Sequence, residues 1–428
     1  MTRGGRAAEG IRAFRHPAYR ILYVALVARG TQVWLQFVGL PLLVLELGGS
    51  AAEVGLVTGL FLIPIAIVAP VAGVIGDRVD RRRALVAMAA YGAIHGLVLA
   101  GVVGAGSMTI PVLAVFAGLY GLLNAAEIPI RLAFIAQVVP RDDLANGVVM
   151  GQFAFVITRI VAPAIGGLVA ASAGLGPLFG LIGLAGVVVA LATYFVRVPT
   201  AAPAADGGDP GRALAEGLRY AARTSGVRQP LLLLGAVSIF GLSFQVVLPL
   251  YAVDRLGLDS QGFGLLLAVM GVGALVASVP LAYLDVRTAR VGLIVASSAI
   301  AGAILVLALT TLVPLAFLLV GVAGAASNAS LSSASVVLQH AVRGALRARV
   351  LGLQAALFQG GQGIGGVLMG LVTESAGVVA ALAGGALLVA VATALVGPTW
   401  RATPEPADDE AGTPNPGPPG PAVRGARG

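Results

Sequence analysis

The sequence predicts an all-α membrane protein of twelve transmembrane helices, arranged as two six-helix halves related by a parallel repeat. Three observations carry that prediction. The first is composition. Of 428 residues, 58% are hydrophobic and 11% charged, too few charges for the water-facing surface of a soluble domain of this length. The second is spacing. A membrane helix needs roughly 20 apolar residues, and twelve such runs can be read, at 18–45, 54–76, 84–104, 109–131, 145–172, 176–196, 231–253, 262–284, 291–311, 313–338, 350–373 and 377–397. The third is self-similarity. LPLLVLELGGSAAEVGL (Leu40 to Leu56) returns as LPLYAVDRLGLDSQGFGL (Leu248 to Leu265), which places Gly55 on Gly264. QVVPRDDL (Gln137 to Leu144) returns as QHAVRGAL (Gln339 to Leu346), and Ile165-Gly166-Gly167 as Ile364-Gly365-Gly366.

The arginines set the orientation. All 27 basic residues are Arg. Twenty-four fall at the ends and in alternate loops, on one side of the predicted bundle. Arg255 falls on the other, and Arg29 and Arg159 lie inside runs. This asymmetry puts the basic side, and both termini, in the cytoplasm. The first run is too long for a signal-peptide core and has no convincing cleavage site, so it is read as a span of the inner membrane. Domain organisation follows: residues 1–196 form the first bundle, 197–230 a cytoplasmic linker, 231–399 the second bundle and 400–428 a tail. The linker closes with RALAEGLRYAARTSG, in which Leu214, Leu218 and Ala221 share one face. It is read as an amphipathic helix on the membrane surface or docked under the bundle. The tail is rich in Pro, Gly and Ala and is expected to be disordered.

Several chemistries are excluded. Without cysteine there is no disulfide or thiolate, and His16, His95 and His340 are too scattered to suggest a metal cluster. Without lysine there is neither a P-loop nor a Schiff base. No cofactor, metal or catalytic constellation is read. The +8 formal charge is a topology signal rather than a nucleic-acid footprint.

The loop after the second run reads GVIGDRVDRRRAL, with Gly73, Asp77 and Arg78 followed by Arg81, Arg82 and Arg83. It resembles the signature loop of the major facilitator superfamily, with Asp80 in place of the second Gly. That departure is similar to the branch of transmembrane secretion effectors, which contains the enterobactin exporter and macrolide-efflux-like proteins. The likeness covers nearly the whole chain. It includes AFRHPAYRILYVALVARGTQ, Pro129 and Arg131 after span 4, RIVAPAIGG in span 5 and ALAEGLRYAARTSGVRQPLLLLG before span 7. It implies the major facilitator fold, with spans 1, 4, 5, 7, 10 and 11 around a central cavity. Two features depart from the wider superfamily. The Arg found midway in span 4 of proton-coupled members is absent near Ala117. The span 5 antiporter motif reads Ala162-Pro163-Ala164-Ile165-Gly166-Gly167, with Ala for its first Gly. In the second half Arg78 meets Arg287 and Arg81 meets Arg290, but Asp77 meets Val286.

Asp77 ends a helix, where a carboxylate opposes its own helix dipole. The resemblance implies that it latches span 2 to the start of span 11, near Arg349. Arg81 or Arg82 is then free to pair with Asp142 or Asp143. The bland alternative is that DRVDRRR only anchors topology. Ionisable groups inside spans cost about 2.5–3.5 kcal/mol each at the bilayer centre, and Arg29, Glu127, Arg159 and, more weakly, His95 fall there. Glu127 either pairs with Arg131, four residues on, or couples transport to protons. Arg29 either snorkels or lines the cavity, Arg159 faces water or a partner, and His95, between Gly92 and Gly96, reads as a helix contact. Arg29, Gln32 and Gln36 share one face of span 1, and Gln152 and Arg159 one face of span 5. With Asn124, Gln245, Asn328, Gln354 and Gln362 they form the candidate cavity lining, unless each amide only bonds a neighbouring helix. Gly361/Gly365 and Gly366/Gly370 read as packing positions.

A repeated half of membrane helices is the plan of a transporter whose halves rock about a central site. The expected function is export of a small amphipathic organic molecule, drug-like or siderophore-like, by a monomer in the cell membrane using protons. Nutrient uptake and a non-transporting receptor or scaffold are the alternatives.

Overall fold

The computed structural model describes residues 11–76, 80–197, 210–281, 285–342 and 345–401. Asp77, Arg78, most of the small-residue linker and nearly all of the tail lie outside these. Six helices come first: α1 (Pro17–Glu46), α2 (Ala51–Gly76), α3 (Arg81–Gly104), α4 (Ile110–Val138), α5 (Arg141–Ala173) and α6 (Leu175–Phe195). A connecting helix (Pro210–Arg223) leads to α7 (Ser225–Arg255), α8 (Ser260–Leu281), α9 (Val286–Leu309) and α10 (Val313–Ala341). The run Ala345–Arg401 is broken at Gly377 (φ 86°, ψ 161°) into α11 and α12. That left-handed conformation suits glycine and turns the chain without a loop. Among the described residues, eleven helices are long and apolar enough to cross a membrane, with the Gly377-broken run counted once.

Local chemistry explains the helix starts. Ser50 and Glu53 form a capping box: Ser50 N donates to Glu53 Oε2 (2.8 Å) and Glu53 N to Ser50 Oγ (3.3 Å). Asp259, the residue aligned with Ser50, caps α8 by accepting from Gly262 N at 2.8 Å. Asp80, which departs from the family loop, accepts from Arg83 N at 3.0 Å and caps α3. Asp285 caps α9 through Thr288 N at 2.8 Å. Val286, where Asp77 stands in the first copy, is therefore already helical. In the aligned frame α9 thus begins one turn earlier than α3.

One boundary and one face differ from expectation. α7 begins at Ser225, inside the predicted linker, and carries Pro230 within its second turn, where the ring removes one i→i−4 bond. The connecting helix is docked: Ala221 is buried, and Glu216 pairs with Arg349 at the start of α11. Leu218, expected on its buried face, is exposed.

The amino-terminal turn (Arg12–Arg15), the connecting helix and the first residues of α3, α5 and α11 lie at one end of the bundle, here the basic end. Toward the opposite end, two seams join the first six helices to the later ones. α2 meets α11 so closely that a Cβ on Gly55 would lie 2.6 Å from the Gly366 carbonyl oxygen, and one on Gly370 would lie 2.6 Å from that of Ala51. α5 meets α8 likewise: a Cβ on Gly167 would lie 2.5 Å from the Ser260 carbonyl oxygen, and one on Gly264 would lie 2.8 Å from Gly167 Cα. The aligned glycines therefore exchange partners, Gly55 with Gly366 and Gly264 with Gly167.

Gly264→Val should lower stability by about 1–3 kcal/mol, because neither backbone can retreat. Gly302→Ala should be neutral or mildly stabilising, since nothing lies within 4 Å of its added carbon. Thermal unfolding of the purified protein checks both.

Candidate transport site

The polar face of α1 does not line the central cavity. Arg29 is 4% exposed and donates to Gln32 Oε1 (2.8 Å), Asn124 Oδ1 (2.7 Å) and the Tyr120 hydroxyl (2.5 Å). Its Nε lies 3.4 Å from Glu127 Oε2, while Arg131 Nε lies 2.9 Å from Glu127 Oε1. One carboxylate thus serves two guanidiniums, from α1 and α4. The Arg131 contact is an ion pair without hydrogen-bond geometry at Nε. Gln32 passes the network on to the Ile182 carbonyl of α6 at 3.2 Å. Arg29 therefore neither snorkels nor opens onto the central cavity, because Glu127 is within its reach inside the bundle.

That cavity, of about 320 Å³, lies among α1, α2, α4, α5, α7, α10 and α11. Its wall includes Asn124, Glu127, Arg131, Gln152, Arg159, Gln245 and Gln362. Other expected members are placed elsewhere. Gln36 is fully buried, with neither amide atom partnered. Asn328 donates to the Ala274 carbonyl (2.9 Å) and Ser278 Oγ (3.1 Å) on α8. Gln354 donates to Ser335 Oγ (2.6 Å) and the Leu331 carbonyl (3.2 Å) on α10. These two amides tie neighbouring helices together.

The wall also holds Trp34, Phe37, Phe155, Phe358 and Gln359, which were not expected. The Arg159 guanidinium lies 5.1 Å from the centre of the Trp34 ring, and that of Arg131 lies 4.6 Å from Phe155. Trp34 stacks on Phe37, with ring centres 5.1 Å apart. The spacings Trp34/Phe37 and Gln359/Gln362 are the sequence signals available for this face. Beside the cavity α7 is π-helical over Val237–Leu242. The Ser238 hydroxyl donates to the Phe358 carbonyl of α11, and Ser243 Oγ to that of Gln362 at 3.3 Å. Gly361 and Gly365 face these two serines, so α7 and α11 are sealed together at the wall. Such widened turns are frequent at functional sites.

The basic-end loops differ from the expected pairing. Asp143 is engaged by His16 (2.9 Å) and Arg12 (3.8 Å). Arg82 donates to the Tyr194 carbonyl of α6. Asp142 is exposed and has no ion pair among the described residues. Arg12 and His16 precede α1 and lie nearer to Asp143. Arg83 pairs with Asp80 at 3.7 Å, and Gly73 lies in the last turns of α2. His95 packs on Tyr120 and approaches the Phe116 carbonyl at 3.1 Å, an α3–α4 contact. In span 5, Gly166 packs on Leu35 of α1, and Pro163 backs the approach of Gly264.

Residues 8–421 match the transmembrane secretion effector family. The chain belongs to this branch of the major facilitator superfamily. Its members are transporters, not enzymes. The multidrug efflux pump Tap of Mycobacterium tuberculosis is 29% identical over 380 residues, which cover 85% of this chain and 88% of the relative. The enterobactin exporter EntS of Shigella boydii is 26% identical over 363 residues, 83% and 85% of the two chains. A bacterial homologue of the human lysosomal transporter Spinster, solved inward-facing and unoccupied, shares the fold. Its TM-score is 0.71 at 16% identity, over 90% of this chain and 96% of that one. The transporter is accordingly a multi-pass membrane protein.

Removing Glu127 strands the buried Arg29 and leaves the half-buried Arg131 without its partner, and breaking a buried pair costs about 3–5 kcal/mol. Glu127→Ala should therefore unfold at markedly lower temperature. Adding Arg29→Leu should recover part of the loss, a non-additivity that a double-mutant thermal cycle measures.

Proposed function

We propose that this transporter exports a small amphipathic organic molecule, drug-like or siderophore-like, by alternating access driven by protons. The observation that carries the reading is the cavity itself. It lies between the first six helices and the rest near mid-depth, its wall drawn from the basic-end halves of α4 and α10 and from Trp34, Arg159 and Gln245 near the middle of α1, α5 and α7, while glycine contacts pack α2 on α11 and α5 on α8 toward the opposite end. With the basic side taken as cytoplasmic, that packing favours an inward-facing reading. The turn at Gly377 supports twelve crossings. The exchange of partners between Gly55/Gly366 and Gly264/Gly167 supports two halves, 1–196 and 231–399, related by a parallel repeat.

Efflux relatives favour export. Aromatic walls interrupted by amides suit an amphipathic solute better than a sugar. Glu127 is the coupling candidate, since a proton there would release Arg29 and Arg131 from their shared counter-ion and reset the α1–α4 packing. Asp77, with Arg78, Arg81 and Arg82, is the candidate latch at the basic end for the opposite state, in which α2 and α11 close there.

In cells stripped of their own pumps, the chain should lower accumulation of dyes, macrolides or siderophores, and a proton uncoupler should abolish the effect. Glu127→Gln should lose uncoupler-sensitive efflux when scored per copy of folded transporter, and Asp77→Ala should slow it. Efflux indifferent to both the uncoupler and Glu127→Gln would remove the proton assignment. The cysteine-free sequence permits a topology test. Asp259→Cys should react with an impermeant maleimide from outside, and Asp142→Cys only after permeabilisation; the reverse would invert the orientation.

A further inference from the structure

We propose that the cavity selects an organic anion, holding its acidic group on Arg159 and its flat apolar body against Trp34 and Phe155. This rests on the reading that the cavity is the transport site. The argument begins with charge. The charged groups in the wall are Glu127, Arg131 and Arg159. Glu127 is already committed to Arg131 at 2.9 Å and to Arg29, behind the wall, at 3.4 Å. Three guanidiniums are therefore set against a single carboxylate, which two of them already share. Arg159 has no ion pair among the described residues; its contact is the Trp34 ring at 5.1 Å. A cation at mid-membrane needs either water or a counter-ion, and a cation–π contact replaces only part of that stabilisation. An acid on the solute supplies the rest, through a charge-assisted pair that guanidinium geometry favours.

The surroundings point the same way. The Trp34 indole N–H is buried without an acceptor. The Trp34–Phe37 stack and the Phe155 ring under Arg131 offer flat apolar surface directly beside the cationic heads. Gln152, Gln245, Gln359 and Gln362 supply amide donors around the wall. A cationic solute entering this space would meet Arg131 and Arg159 with Glu127 already engaged, and would be repelled.

Two xanthene dyes test this: fluorescein, an anion, and a cationic rhodamine ester of the same ring system. Their binding to the full chain in lipid nanodiscs is read by fluorescence anisotropy. Fluorescein should bind at least about ten-fold more tightly. Arg159→Gln should weaken fluorescein by about 10–100-fold, the scale of one charged hydrogen bond, and should strengthen the rhodamine. Arg159→Lys should keep the order of preference, which guards against a Gln variant that does not fold. Equal or stronger rhodamine binding to the natural chain, or equal weakening of both dyes by Arg159→Gln, would overturn the proposal. Proteoliposome transport separates it from the reading beneath it. Fluorescein bound but not moved by a proton gradient would sink the transport reading and leave the anion site. Proton-driven movement that favours the rhodamine would do the opposite.

Discussion

The architecture depends on backbone meeting backbone at two glycine seams. Membrane helices gain no hydrophobic stabilisation from each other in lipid, so they associate by close packing, and small residues permit it. Here the seams run between helices of the first and later groups, α2 on α11 and α5 on α8. They pack one end of the molecule and leave the space between the groups at the other. Each seam brings backbone against backbone at its glycines, with Ile63 and Val367 packed along the first. Such a contact can part and reform as a unit, which a core of interlocked leucines could not do as readily. Glu374 adds a polar tie at the same end, accepting from Ala52 N at 3.0 Å at the start of α2, where a carboxylate is favoured by the helix dipole.

The interior polarity is concentrated rather than spread. Arg29, Tyr120, Asn124, Glu127 and Arg131 form one buried network against the cavity wall. Burying this set is costly, and removing one partner costs more than the pair returns. A cluster of that kind is tuned by whatever reaches its shared carboxylate. Glu127 and Arg131 face the cavity while Arg29 lies behind them. An event in the cavity can therefore reach the packing of α1 on α4 and α6 without passing through solvent.

Much of this was legible in the residues, and the limits have physical causes. Twenty-residue apolar runs are a strong signal, so the helices fall where hydropathy puts them. The two helices at the carboxyl end are separated by a single glycine in positive φ rather than by a loop. The repeat aligned Gly55 with Gly264, and both turn out to sit at seams. Helical spacing grouped Arg29, Gln32 and Gln36 correctly as a face, but it cannot say whether a face meets a cavity or another helix. For Arg29 the decisive partner was Glu127, 98 residues away. Trp34 and Phe37 escaped notice because an aromatic residue in an apolar span reads the same whether it faces lipid, core or cavity. The π-helical stretch of α7 leaves no pattern in composition; it lies where α7 packs on Gly361 and Gly365.

The central claim is that the seamed end must open for a solute to leave. Ala52 and Glu374 lie across the α2–α11 seam in a chain that has no cysteine. The double variant Ala52→Cys/Glu374→Cys, joined by a short thiol-reactive cross-linker with a reducible bond, would hold that end shut. Efflux should stop in proportion to cross-linking and return on reduction. Undiminished efflux with cross-linking complete would contradict the account.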